Sequence, residues 1–300
     1  MVHQGEPYPY RIDWSRWEQS VADETMIDEA PELLLSIDWD FFFPLPDLSL
    51  YPDQMAEEMA VSTQFNIEEW FSKQRSDAAW ESIRTALIAV GQDPDQLMAP
   101  AHPTQIEAFI DLIQQRFEIK EVSVADSHAW GTYAVSRAAA RAGKTVEILS
   151  FDAHHDCGYI NYLGDDLERS RRRAWSRPSC DDWIQSSLAH QTADFALIVY
   201  PEWRRRPEWM MHPVTLPEHL SARAAQTSLD HYRNTPGTSE KRPVSLLLVR
   251  SSAYVPTFAG HDTAFLQLAD RLAPAGFRCL DCDPPAGISI GDQDGCTPRL

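Results

Sequence analysis

The stretch Val146–Asp156, VEILSFDAHHD, decides the fold. Its first half is short, apolar and rich in β-formers, with no alternation of the kind a water-facing strand shows. Such a run suits a strand covered on both faces of a sheet. Its second half turns abruptly into Asp152, His154, His155 and Asp156. Working outward, four more runs have the same character: LLLSIDWDFF (33–42), EVSVADSH (121–128), DFALIVYPEW (194–203) and VSLLLVRSS (244–252). Between them, apolar residues recur at helical spacing over 66–90, 104–117, 130–142, about 179–190 and about 262–273. Gly91 and Gly143 stop two of these helices, and Thr104 reads as a cap for another. Strands alternating with helices predict an α/β fold: three layers, a mostly parallel sheet and helices on both faces. Residues 1–31 read as an N-terminal arm, 32–280 as one α/β catalytic domain and 281–300 as a C-terminal tail rich in turn formers.

The net charge of −19 narrows the partners. Nucleic acid and anionic membrane are excluded, because there is no basic surface to displace counterions from phosphates. Metal ions, cationic small molecules and basic peptides are attracted. The N-terminus lacks an apolar signal core, and no stretch approaches the ~20 apolar residues of a membrane span. Five scattered cysteines read as reduced thiols, so a cytoplasmic location is expected. Cys279 and Cys282 form a C-x-x-C, but no second pair exists to complete a structural zinc site.

Ligands of open α/β sheets bind beyond the carboxyl ends of the strands. Those ends carry Asp38-Trp39-Asp40, Asp126-Ser127-His128, Asp152-Ala153-His154-His155-Asp156 and Tyr200-Pro201-Glu202-Trp203. In an extended chain, alternate residues point to one side, so Asp152, His154 and Asp156 converge if the extension persists, and Asp38 and Asp40 do likewise. A lone Asp-x-Asp after a strand is commonly a turn or a cap. Several ionisable groups buried together without compensation are costly, however, and two divalent cations would cancel four carboxylates. Carboxylate oxygens with a few imidazoles suit Mn²⁺, and zinc less exclusively.

SFDAHHD (150–156) resembles the D-A-H-x-D signature of the arginase, or ureohydrolase, superfamily, and SIDWDFFFP (36–44) resembles its S-x-D-x-D-x-x-D-P signature. DSHAWG (126–131) supplies the separate histidine that the superfamily carries. Within it, the aromatic residues after D-x-D make the chain most similar to the peptide arginases of ribosomal-peptide biosynthesis. The resemblance covers the strand ends and about half of the chain. It implies an arginase-like fold and two Mn²⁺ ions, one held by His128, Asp152, Asp156 and Asp38, the other by Asp152, His154, Asp38 and Asp40. Asp152 and Asp38 would bridge. It also implies an activity: a hydroxide shared by the two ions converts arginine side chains of a precursor peptide to ornithine, releasing urea. Two features depart from the signature. The D-x-D motif precedes D-A-H-x-D, which implies a permuted strand order, and Phe43 stands where the signature has Asp.

A guanidinium substrate calls for a carboxylate of its own, and Glu202 is the candidate, with a helix cap or an arginine partner as the other reading. The leaving amine calls for a proton donor, and His155 and His261 are the candidates. His155 points away from His154 if the strand stays extended. His261 lies in the Gly-flanked loop VPTFAGHD, or else opens the next helix with Asp262 as its cap. Arg169, Arg171, Arg172 and Arg173, with Arg204, Arg205 and Arg206, read as a solvated face or as a dock for an acidic leader segment. Three other functions fit the motifs less closely: hydrolysis of free arginine or another small guanidino compound, amide hydrolysis on the same broad architecture, and a non-catalytic peptide-binding module.

Overall fold

The computed structural model describes residues 10–12, 30–44, 73–158, 180–205, 216–252, 254–273, 275–281 and 288–290. In chain order the strands are β1 (Tyr10–Ile12), β2 (Leu33–Asp38), β3 (Phe117–Ala125), β4 (Val146–Phe151), β5 (Ala193–Tyr200), β6 (Ala224–Ser228), β7 (Arg242–Val249), β8 (Arg278–Cys279) and β9 (Ile288–Ile290). The helices are α1 (Lys73–Ala89), α2 (Pro94–Leu97), α3 (Pro103–Arg116), α4 (Gly131–Ala142), α5 (Trp183–Ala189), α6 (Leu229–Asn234) and α7 (His261–Leu272).

Strands β2 to β8 form a seven-stranded sheet in the order β6-β5-β4-β2-β7-β3-β8, and every neighbouring pair is parallel. The apolar runs are continuous because both faces are covered, as expected for an all-parallel sheet. Leu33, Leu35 and Ile37 pack with Trp80 of α1, Phe109 of α3 and Phe265 of α7. Leu34, one residue out of phase, packs with Val135 of α4 and Ile184 of α5 on the other face. These are the three layers expected. The strand that carries D-x-D lies beside the one that carries D-A-H-x-D although it comes first in the chain, so the strand order is permuted relative to the motif order.

Several boundaries differ from the sequence reading. Helix α3 begins at Pro103 with His102 as its cap, in a reciprocal capping box with Gln105, because proline fits the first helical position and sets the cap two residues upstream of Thr104. β6 and β8 had not been expected. Segments of the arm and the tail, read as irregular, pair as the antiparallel β1 and β9. Cys279 is disulfide-bonded, unlike the reduced thiol expected there, whereas Cys157 and Cys180 are reduced thiols. Among the described residues, no helix is long and apolar enough to cross a membrane.

Gly143 ends α4 in the left-handed region at φ 65°, and its N–H bonds back to the carbonyls of Ala139 and Ala140. A side chain is disfavoured there, so Gly143→Ala is expected to lower the unfolding free energy by about 1 kcal/mol. A urea unfolding midpoint checks this.

Candidate metal centre

β2 and β4 run in register, with Ile37 opposite Phe151, so Asp38 and Asp152 leave the sheet side by side. Neither motif then stays extended, contrary to the expectation from alternate residues. Asp38 accepts a hydrogen bond from the Asp40 N–H (2.9 Å), and this cap turns Trp39–Phe42 at once into a 3₁₀ helix. Asp152 likewise accepts from the His154 N–H (2.6 Å), and Asp156 adopts φ 47°. The carboxylates converge through these tight turns rather than through strand pleating. His128 arrives from the far side of β7, on a 3₁₀ turn capped by Ser127 after β3.

Six of the side chains singled out in the sequence are thereby brought together. His128 Nδ1 lies 2.9 Å from Asp38 Oδ2, 3.1 Å from Asp156 Oδ2 and 3.2 Å from Asp152 Oδ2. His154 Nδ1 lies 2.7 Å from Asp40 Oδ2 and 3.6 Å from Asp152 Oδ1. Two ligand groups result, Asp38–His128–Asp152 and Asp40–Asp152–His154, each with its donor atoms within 4.8 Å of one another. Asp152 belongs to both. Asp38 does not fill the second bridging role that the resemblance implies. One of its oxygens caps Asp40, and the other faces His128 and Ser251.

The electrostatics are those of a cluster awaiting positive charge. Burial, reinforced by Asp38 and Asp152, pushes the Asp40 carboxyl up to about 7. Burial and Asp152 push Asp156 up as well. Burial alone would depress His154, but Asp40 and Asp152 overcome it and raise the imidazole to about 10. His128 is raised against its own burial by Asp38, Asp152 and Asp156. Burial would raise Asp152 too, but the two histidines outweigh it and hold that carboxyl below its usual range. Two imidazoles and two of the four carboxyls thus hold on to protons that divalent cations would replace. Asp40 Oδ2 and Asp152 Oδ2 are buried without a hydrogen-bond partner. The 2.7 Å approach of His154 Nδ1 to Asp40 Oδ2 is an ionic contact. Buried carboxylate oxygens left unpartnered in this way suit coordination, and the oxygen-rich donor set with one imidazole per group fits Mn²⁺. All six side chains are buried except His154, which is 21% exposed and marks the open side.

Residues that the sequence reading did not single out support the cluster. Ser251, after β7 and at φ 50°, donates its hydroxyl to Asp38 Oδ2 (2.7 Å). The Tyr254 ring packs against His154 with centroids 5.1 Å apart. Trp183 Nε1 donates to Asp156 Oδ2 (2.7 Å). Ser251 carries the same signal as the ligands, a polar residue just past a strand, and that logic would have found it. Ser251→Ala is expected to weaken Mn²⁺ binding about tenfold, as loss of a hydrogen bond that orients a ligand typically does. Isothermal titration of the metal-free protein reads this directly.

The remaining candidates fall elsewhere. His261 is completely buried, with Nδ1 accepting from Trp39 Nε1–H (3.0 Å) and Nε2–H donating to the Met98 carbonyl (2.6 Å). With both nitrogens engaged it does not stand as a proton shuttle. His155 is also buried, and its Nδ1 accepts from the Cys157 N–H (3.0 Å), which makes it part of the turn that shapes D-A-H-x-D. Glu202 accepts from the Asp230 N–H (2.8 Å) at the start of α6, so the cap reading describes it. Arg204, placed by the sequence in a basic surface run, is buried, and its Nε donates to the Ala153 carbonyl (2.7 Å) inside the motif turn. Arg169, Arg171, Arg172, Arg173 and Arg206 lie outside the described residues.

No family model, curated protein or solved structure matches this chain.

Proposed function

We propose that the chain is a binuclear manganese-dependent hydrolase of guanidino C–N bonds, a peptide arginase that converts arginine residues of a precursor peptide to ornithine and urea. The observation that carries the proposal is the position of Asp152, shared between two ligand groups that each add one imidazole. A lone structural ion needs no such shared carboxylate, whereas two-metal hydrolytic sites are built around one.

In this reading His128, Asp38, Asp152 and Asp156 hold one ion, and Asp40, Asp152 and His154 hold the other. When bound, the pair supplies a water of lowered pKa and the positive charge that polarises the carbon under attack. Hydrolysis would consume one water per arginine: the guanidinium carbon would gain its oxygen, the bond to the side-chain nitrogen would break, and that nitrogen would leave as the ornithine amine with a proton from the water. His154, the least buried of these side chains, would face an entering substrate, with the Tyr254 ring beside it. The net charge of −19 draws a cationic peptide toward the site. The D-A-H-x-D and D-x-D resemblance supports the guanidino substrate, and the aromatic residues after D-x-D support the peptide.

The test is to incubate the Mn²⁺-loaded protein with an arginine-containing peptide and, separately, with free arginine. A peptide lighter by the mass of cyanamide per converted arginine, with urea in solution, is the expected result. Turnover of free arginine alone would replace the peptide assignment with small-guanidine hydrolysis. Metal binding with no turnover of either would leave a peptide-binding module on this fold, and no metal binding would refute the cluster itself.

A further inference from the structure

Trp183, the first residue of α5, lies across one half of the cluster. Its indole N–H donates to Asp156 Oδ2 at 2.7 Å. Its ring stacks on the His128 imidazole, with centroids 5.1 Å apart and planes 29° apart. The backbone repeats the attachment. The Ile184 N–H donates to the Asp156 carbonyl (3.0 Å), and the Gly158 N–H donates to the Asp181 carbonyl (2.7 Å). Asp156 needs such a clamp because it sits at φ 47°, where a non-glycine residue is strained. Room for the ring depends on Gly131: a Cβ there would stand 2.4 Å from Trp183 Cδ2 and 2.5 Å from Cε3. The indole therefore fills a slot cut for it, completely buried, against two ligands of the same ion.

The other half has different supports. Asp40 Oδ1 accepts from the Ala153 N–H (3.1 Å), Arg204 ties down the Ala153 carbonyl, and Tyr254 backs His154. None of these contacts involves α5.

We infer that Trp183 is a positioning residue for one metal position only: it sets the occupancy of the His128–Asp156 half, independently of the Asp40–His154 half. The inference rests on the binuclear reading above. A ligand carboxylate that loses the group orienting it typically costs ten- to a hundredfold in metal affinity, and here the stacked histidine loses its backing at the same time.

The experiment is Mn²⁺ stoichiometry by equilibrium dialysis, with electron paramagnetic resonance of the bound ion, on the wild-type protein and on Trp183→Phe. Phenylalanine keeps an aromatic plane over His128 and removes the donor to Asp156. Circular dichroism of the metal-free proteins establishes that both are folded. Expected are two ions and a spin-coupled signal in the wild type. In Trp183→Phe, one position should keep its affinity and the other weaken about ten- to a hundredfold, leaving the sextet of an isolated Mn²⁺ at limiting metal. If Trp183→Phe does not fold, Gly131→Ala displaces the same ring without removing its N–H, and the same split is expected. Two ions at unchanged affinity in the variant would overturn the inference alone, and so would equal loss of both. A wild type that binds no metal would instead overturn the binuclear reading, and this inference with it.

Discussion

On the binuclear hydrolase reading proposed above, Asp152→Ala is expected to reduce urea release by more than about a thousandfold, because the carboxylate common to both ligand groups disappears and with it the joint action of the two ions. In the same reading Asp40→Ala and Asp156→Ala each remove a carboxylate from one proposed ion only, so each should leave the other ion bound and silence turnover without emptying the site. Metal-free stability separates this from simple unfolding. Asp152 is among the charges that raise Asp40 and Asp156, but it also holds the two imidazoles by charge and accepts the His154 N–H, so its removal trades relieved repulsion for lost attraction. The measure is therefore the stabilisation that Mn²⁺ adds to each protein over its own metal-free midpoint. Adding Mn²⁺ at a hundredfold excess over its dissociation constant should stabilise the wild type by about 3 kcal/mol per bound ion and the variant hardly at all. A wild-type thermal shift that survives in Asp152→Ala would show that the ions sit somewhere else.

The sequence made the sheet legible where burial on both faces left continuous apolar runs. β2, β4 and β7 are of that kind, as are the C-terminal halves of β3 and β5. β6, with sequence AAQTS, escaped because it is a short, polar edge strand, and β8 because two residues carry no period at all. WDFF read as more strand because it is apolar. Only the hydrogen bond from the Asp40 N–H to Asp38 ends β2 there, and a cap of that kind has no hydropathy signal. The six ligand candidates were legible because ionisable groups gathered at strand ends need a reason to be there. The second rank was not legible. The partners of His261 lie 222 and 163 residues away in the chain, and Trp183 lies 27 residues from Asp156. Arg204 looked like one more surface arginine because a run of like charges says nothing about which member turns inward. Of the two readings for His261, a functional Gly-flanked loop or the opening of the next helix, the second holds: His261 starts α7 and is completely buried against the core.

Lowering the pH from 6.5 to 4 is expected to cost the metal-free wild type about 3 kcal/mol more than it costs His261→Gln. Burial is the main cause of the low value at His261, about 4 against an ordinary 6.5. The nearby Arg250 adds to it, and the hydrogen bond to the Met98 carbonyl opposes it. The folded protein therefore holds this imidazole neutral while the unfolded chain takes up a proton. The stabilisation is full above pH 6.5, drains away as the pH falls toward 4 and is gone below that. Glutamine keeps a donor for the Met98 carbonyl and an acceptor for the Trp39 indole but does not titrate, so its profile should lack this slope. The consequence reaches the cluster, because Trp39 lies between Asp38 and Asp40. A doubly protonated His261 has no lone pair for the Trp39 N–H, so the 3.0 Å bond must break and the 3₁₀ turn that presents Asp40 loses its anchor. Urea unfolding of both proteins across this range measures the difference, and parallel profiles would show that His261 titrates normally and does not hold the turn.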